Sequence, residues 1–357
     1  MAKLSDNGDD PYLWLEEVDG AEATAWVRER SAETLAALTS DDAFGERKSD
    51  FRAVLDSDDR IPAVTSRGDY LYNFWQDATH PRGLWRRTTL DQYRGSEPEW
   101  EVLLDLDALA AQEGENWVWQ KVQVLRPGYE RCLISLSRGG ADAAVVREFD
   151  LSRREFVADG FTLPEAKSDV CWIDADHIFV GTDFGPGSLT TSGYPRFVKL
   201  WRRGTPLAEA EVVYEGGVND VLVYGTHDPT PGFARDLVIR YLDRHHSEKF
   251  VRTGAGELVP IPVPSDATFE AHREWLLIRP RSPWPVDDVT YPAGSLLVTR
   301  FDEFLAGKRN ITVLFEPDDH TALHAWNWTR NHLILTLLHD VKTRLEVFTP
   351  DDGGWRR

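Results

Sequence analysis

GTDFGPGSLTTSGYPRFVKLWRRGT, residues 181–205, is two short strand signals held apart by a long loop. One strand signal ends at Phe179 and Val180, and a second over 197–201 is closed by the turn Arg203-Gly204-Thr205. The intervening Gly, Pro, Ser and Thr are too many for a simple hairpin turn. A loop of this length and hydroxyl content is expected to project from a rigid sheet and to touch something beyond it.

Outward from this stretch the same grammar repeats. Before it, strand signals at 63–65, 70–75, 84–88 and 101–106 make a first unit, and 118–125, 131–137, 144–150 and 155–157 a second. After it come 220–224, 236–241, 248–252 and 258–262, then a fifth unit over 268–315. A sixth starts at Leu323 and reaches Arg357 after two strands. Four short strands per unit at a period of about 50 residues predict radial repetition. The fold class is therefore mainly β, a β-propeller whose blades cover 61–110, 115–165, 168–215, 217–263, 265–316 and 320–357. Trp119, Trp172, Trp275, Trp326 and Trp328 near the unit openings are expected to be wedges between neighbouring blades. Two β-sandwiches are the competing arrangement.

Residues 1–60 read differently. Asp10 can cap a short helix with Pro11 in its first turn, where a missing N–H costs nothing, and Asp19-Gly20 ends it. Two further helices are expected over 21–38 and 44–55, the first with Trp26, Val27, Leu35 and Leu38 as its apolar members.

The composition narrows the functional classes. A net charge of −20, with acidic residues spread along the chain, excludes nucleic acid as a partner, because neutralising phosphates needs a basic face. At 41% hydrophobic residues the chain is ordinary globular material. Cys132 and Cys171 each sit in an apolar run and read as free thiols, so no disulfide framework is implied. The sequence contains no apolar run of about 18 residues, and MAKLSDNGDD turns acidic at once, so no membrane span or signal peptide is expected and a cytoplasmic protein is the default.

Candidate chemistry is sparse. A hydrolase serine on a strand-to-helix elbow needs Gly at −2 and +2, and no Ser in these 357 residues satisfies G-x-S-x-G; Ser188 has Pro186 and Thr190 at those positions. His320 and His324 lack the intervening Glu and helical setting of a zinc motif. The glycines of 185–187 have no following Lys or helix to make a phosphate loop. No cofactor or metal is expected. A facing pair of carboxylates, as in a propeller glycosidase, stays open because separation in space, not along the chain, decides it.

Three segments carry a family resemblance: DPYLWLEE (10–17), followed by a helix with AWV (25–27); PRGLWRR (81–87); and GSLTTSGYPRFVKLWRRGT (187–205). Together they resemble the prolyl oligopeptidase family of serine peptidases, built from a propeller mounted on an α/β-hydrolase domain. The resemblance spans essentially the whole chain. It implies a propeller of the seven-bladed type, incomplete here at about six blades, and N-terminal helices that pack on a hydrolase domain expected from the same or an adjacent reading frame. It implies short peptides as substrates, with the propeller restricting access of larger ones, and a chain that is inactive alone. By position, Phe179, Gly185, Ser188, Tyr194 and Arg196 would face the substrate or the domain boundary. Phe179 could wall an apolar pocket or be an inter-blade core residue; Arg196 could meet a carboxylate or form a structural salt bridge. Tyr12, Trp14, Leu15 and Trp26 would face the hydrolase domain. A stand-alone propeller binding a peptide or protein partner is the alternative from another class.

Overall fold

The computed structural model describes residues 10–17, 20–57, 59–351 and 354–357. Six antiparallel sheets follow one another along the chain, each a four-stranded meander, as expected where short β-branched and aromatic runs are separated by tight turns. Blade 1 is Thr65–Arg67, Tyr70–Trp75, Leu84–Thr89 and Glu101–Asp105. Blade 2 is Trp117–Val124, Arg131–Arg138, Ala144–Asp150 and Glu155–Phe156, with Thr162–Ala166 adding to the same edge. Blade 3 is Asp169–Trp172, His177–Gly181, Phe197–Arg202 and Glu211–Glu215, and blade 4 is Leu222–Asp228, Arg235–Tyr241, Ser247–Arg252 and Leu258–Pro260. Blade 5 is Thr268–His272, Trp275–Arg279, Leu296–Arg300 and Thr312–Phe315, with a small hairpin, Trp284–Val286 and Val289–Tyr291, inserted before its third strand. Blade 6 is Thr321–Trp328, Leu333–His339, Lys342–Asp351 and Gly354–Arg356.

Hydrophobic burial joins these sheets in series. Among the described residues five apolar clusters are present, and each is shared by two consecutive blades: Tyr72 and Trp85 with Ile134 and Phe149, Leu133 with Ile178, Phe179 with Val238, Ile239 with Leu276, and Leu277 with Leu335. Among the described residues no such cluster joins the sixth blade to the first. The sheets thus stack face to face around an axis, and stability comes from neighbour contacts, as in other radial repeats. The tryptophans expected as wedges lie in or against these clusters.

Two expectations are corrected. Blade 6 has four strands, not two, because its last strand is only three residues long and its third ends in Pro350 and Asp351, too little for a periodic signal. The described residues form six blades, and the seven-bladed type is not seen in them; that number came with the resemblance, whereas the strand signals suffice for six units.

Alternation within the meanders fixes which loops share a face. Four strands return the chain to the end of the sheet from which it started. The turns between second and third strands, the inter-blade connections and the arrival of the chain before Thr65 therefore emerge on one face. The loop 182–196 lies on this entry face.

Upstream lie a 3-10 turn, Leu13–Glu16, and two helices, Ala21–Leu38 and Asp42–Leu55. Asp10 Oδ1 accepts the Tyr12 N–H at 2.8 Å, and Asp41 Oδ1 caps the second helix through the Phe44 N–H at 2.7 Å. The ring of Trp14 meets that of Trp26 edge to face at 6.3 Å. Otherwise the helices bury little: only Ala23 of their residues is buried, while Val27, Leu35, Leu38, Phe51, Val54 and Leu55 are exposed. Asp19, expected to end the first helical turn, and the first nine residues lie outside the described residues. Among the described residues no helix is long and apolar enough to cross a membrane.

Candidate functional site

The loop 182–196 is stapled from within and tied to the connection between blades 3 and 4. Ser188 Oγ accepts the Phe184 N–H at 2.8 Å and lies 2.7 Å from the Gly185 carbonyl and 3.1 Å from Asp183 Oδ1. Thr190 Oγ1 donates to the Val221 carbonyl at 3.1 Å, and the Thr191 N–H donates to the Val218 carbonyl at 2.8 Å. The Gly216 and Val223 N–H groups bond in turn to the carbonyls of Arg196 and Pro195. A Cβ at Gly216 would come within 2.5 Å of Val223 Cγ2, so the close approach of these backbones needs glycine there. Arg240 clamps the same connection by gripping both oxygens of Asp220 at 2.7 and 3.0 Å, and the Gly217 N–H adds a third bond. Burial works to raise the Asp220 carboxyl, but Arg240 and the Gly217 N–H outweigh it and hold it below the usual carboxylate range.

The predicted residues fall into separate environments. Gly185 is exposed in the loop, with φ at +106°. Tyr194 is half-buried, with the Lys167 ammonium 4.4 Å above its ring. Arg196 is paired with Glu215 at 2.8 Å and lies over the Phe197 ring at 4.8 Å, the structural salt bridge of its two readings. Two residues are buried where the resemblance implied a face open to substrate or to the domain boundary. Phe179 is 1% exposed and packs with Val198, Val223 and Val238 between blades 3 and 4, the inter-blade core residue of its two readings. Ser188 is 5% exposed with its hydroxyl engaged inside the loop, because the turn that follows Asp183 leaves the Phe184 N–H to be satisfied by that hydroxyl. Of the helical set, Tyr12 is 60% and Trp26 38% exposed, while Trp14 and Leu15 are half-buried.

Beneath the loop opens a cleft of about 270 Å³ lined by Gln120, Lys121, Lys167, Asp169, Tyr194 and Pro195 among others. Lys121 Nζ lies 3.3 Å from Asp169 Oδ2 and Lys167 Nζ 3.5 Å from Asp142. Burial pushes the Asp169 carboxyl up, partly offset by Lys121. Apart from Tyr194, sequence reasoning missed these residues, although Lys121 and Gln123 alternate with apolar neighbours on an inner strand, a pattern that reports a polar inner face. The cleft can hold a polar or charged group against a tyrosine ring. It contains no nucleophile with a base beside it, and among the described residues no group of His, Cys, Asp and Glu could hold a metal.

Comparison with known proteins agrees with this architecture. The family model described as prolyl oligopeptidase, N-terminal β-propeller domain, matches residues 4–230. An uncharacterized peptidase of Sinorhizobium fredii is 35% identical over 367 residues, covering 99% of this chain and 50% of its own length. One from Rickettsia prowazekii is 29% identical, covering 96% and 50%. The solved structure of a post-proline cleaving enzyme from Rickettsia typhi superposes with a TM-score of 0.89 at 28% identity, over 96% of this chain and 52% of that one. The chain spans about half the length of the relatives it matches. With the fold, the helices that precede it and a family match over well more than half its residues, the chain belongs to the prolyl oligopeptidase family, in the part described by the N-terminal β-propeller domain.

Proposed function

We propose that this chain is the N-terminal propeller portion of a prolyl oligopeptidase-like serine peptidase, whose entry face meets an α/β-hydrolase domain and admits short peptides to it. The observation that carries this reading is the uncovered apolar surface of the N-terminal helices, from Tyr12 through Trp26 to Leu55, attached at the entry face. Exposed apolar side chains grouped in this way mark an interface. Relatives of twice the length supply room for the domain that would cover them. The 357 residues alone are inactive in this reading. A cytoplasmic location belongs to the same proposal, supported by two unpaired thiols at Cys132 and Cys171.

The test compares hydrogen exchange in this chain with and without the hydrolase domain encoded in the same or an adjacent reading frame. Protection is expected at Trp14, at both helices and over 185–194. An active enzyme that leaves all of these as exposed as in the chain alone would refute the interdomain reading.

A further inference from the structure

On the entry face, between blades 4 and 5, a second pocket of about 220 Å³ gathers cationic side chains in a chain whose net charge is −20. It is formed by the turn of blade 4 that carries Arg244 and His245, by Arg281 at the start of the blade 5 insertion, and by the connection that carries Asp266. Tyr224, Ile239, Tyr241 and Phe269 supply an apolar wall. At its base Lys249 is 4% exposed, and its ammonium is held by three backbone carbonyls, those of Pro264, Ser265 and Ala267, at 3.3, 3.2 and 3.0 Å.

Little negative charge offsets these cations. Arg281 Nη1 donates to His245 Nδ1 at 2.9 Å, a bond that brings no negative charge to the guanidinium. Asp243, the nearest carboxylate in the turn, is engaged by the N–H groups of His245 and His246 and by the His246 ring, and those bonds hold it down to about 2. Among the described residues Arg244, Arg279 and Arg281 enter no salt bridge. Burial, and then the charge of Arg281, keep the Arg279 guanidinium below its usual range. Arg244, Arg281 and Lys249 therefore face a single lining carboxylate, Asp266. Burial holds Lys249 down at about 8, with the pull of Asp266 only partly compensating.

We propose that this pocket is a carboxylate-binding subsite, which takes the acidic group of a peptide at the entry face through Arg244 and Arg281. Two guanidinium groups offer paired donors that match a carboxylate, the buried ammonium adds field without needing a bond, and the tyrosines receive the adjoining carbon chain. The subsite rests on the reading that peptides reach this face, and it narrows their class to those with a free carboxyl terminus or an acidic side chain.

The test measures binding of acetyl-Ala-Pro-Ala with a free carboxylate, and of its carboxamide twin, to the 357-residue chain by calorimetry at low salt. The acid is expected to bind about tenfold more tightly than the amide, the ratio that roughly 1.4 kcal/mol of charge-assisted bonding gives. Arg281→Gln and Arg244→Gln should each shrink that ratio. Both side chains are exposed, so thermal melting is expected to stay unchanged and serves as the control for folding. Equal binding of acid and amide, no binding of either at millimolar concentration, or a preference untouched by both variants would overturn the subsite. None of those results bears on whether the hydrolase domain protects the helices, so the two proposals fail separately.

Discussion

Glu148 and Arg203 are joined by two hydrogen bonds, at 2.9 and 3.0 Å, across the boundary between blades 2 and 3. Glu148 has no exposed surface, and it also takes a bond from Arg131 at 2.9 Å and from the Phe161 N–H at 2.8 Å. Burial alone would raise this carboxyl, but the Arg203, Phe161 and Arg131 donors overcome it and leave it below the usual range. A carboxylate so satisfied holds two blades in register, and removing its charge leaves Arg131 and Arg203 only their longer pairings, with Asp150 and Asp176 at 3.7 Å each.

Glu148→Gln is accordingly expected to cost about 3–5 kcal/mol in urea unfolding at pH 7, the usual penalty for breaking a buried ion pair from one side. The pH dependence follows from the direction of the shift. A carboxyl held below its unfolded value of about 4.3 contributes stability that is complete above that pH and is lost as pH falls through the lower, folded value. The wild-type chain should lose stability across that acid window by more than Glu148→Gln does. Parallel curves for the two proteins would show that Glu148 carries no such linkage.

Phe179 sets a second expectation, because its ring occupies the place where a side chain on residue 225 would go. A Cβ at Gly225 would lie 2.8 Å from Phe179 Cγ and 2.8 Å from Val198 Cγ1. Gly225→Ala should destabilise by roughly 1–3 kcal/mol through overpacking, and Phe179→Ala by roughly 3–5 kcal/mol through the cavity it leaves. The double variant should cost less than the sum, since the added methyl enters the vacated space. Strict additivity in denaturant titrations would mean that the two positions do not share that space.

What could be read from the sequence was whatever local chemistry repeats. Turns such as Arg67-Gly68-Asp69 and Arg138-Gly139-Gly140 punctuate the strands, so six units and their order were legible. The insertion over Trp284–Val286 and Val289–Tyr291 was not, because two three-residue strands carry no period. The direction in which a strand residue points is also hidden. Phe179 pairs with Cys171 and Leu200 in a sheet covered on both sides, and alternation does not say which side is a neighbouring blade and which an open channel. Lys249 shows the limit most sharply. In Ser247–Arg252 it reads as one solvated charge among several, and only the course of the next inter-blade connection brings three carbonyls to its ammonium.

The last expectation concerns Ser188 and the silence of these 357 residues toward peptide bonds. Nucleophilic serine needs a base within hydrogen-bond reach and donors placed for the developing oxyanion. Ser188 Oγ instead meets the Phe184 N–H, the Gly185 carbonyl and Asp183, and no histidine bonds to it among the described residues. Its proton goes to a carbonyl or a carboxylate that fastens the turn, and at 5% exposure it offers no face to a substrate carbonyl. The chain incubated with a proline-containing chromogenic peptide should show no turnover, and a serine-directed phosphonate should leave its mass unchanged. Ser188→Ala should loosen the loop, seen as faster hydrogen exchange over 184–190, at a cost of about 1–3 kcal/mol for the stranded Phe184 N–H. Labelling of Ser188 by the phosphonate, or turnover abolished by Ser188→Ala, would show instead that this hydroxyl is a nucleophile and that the loop opens to expose it.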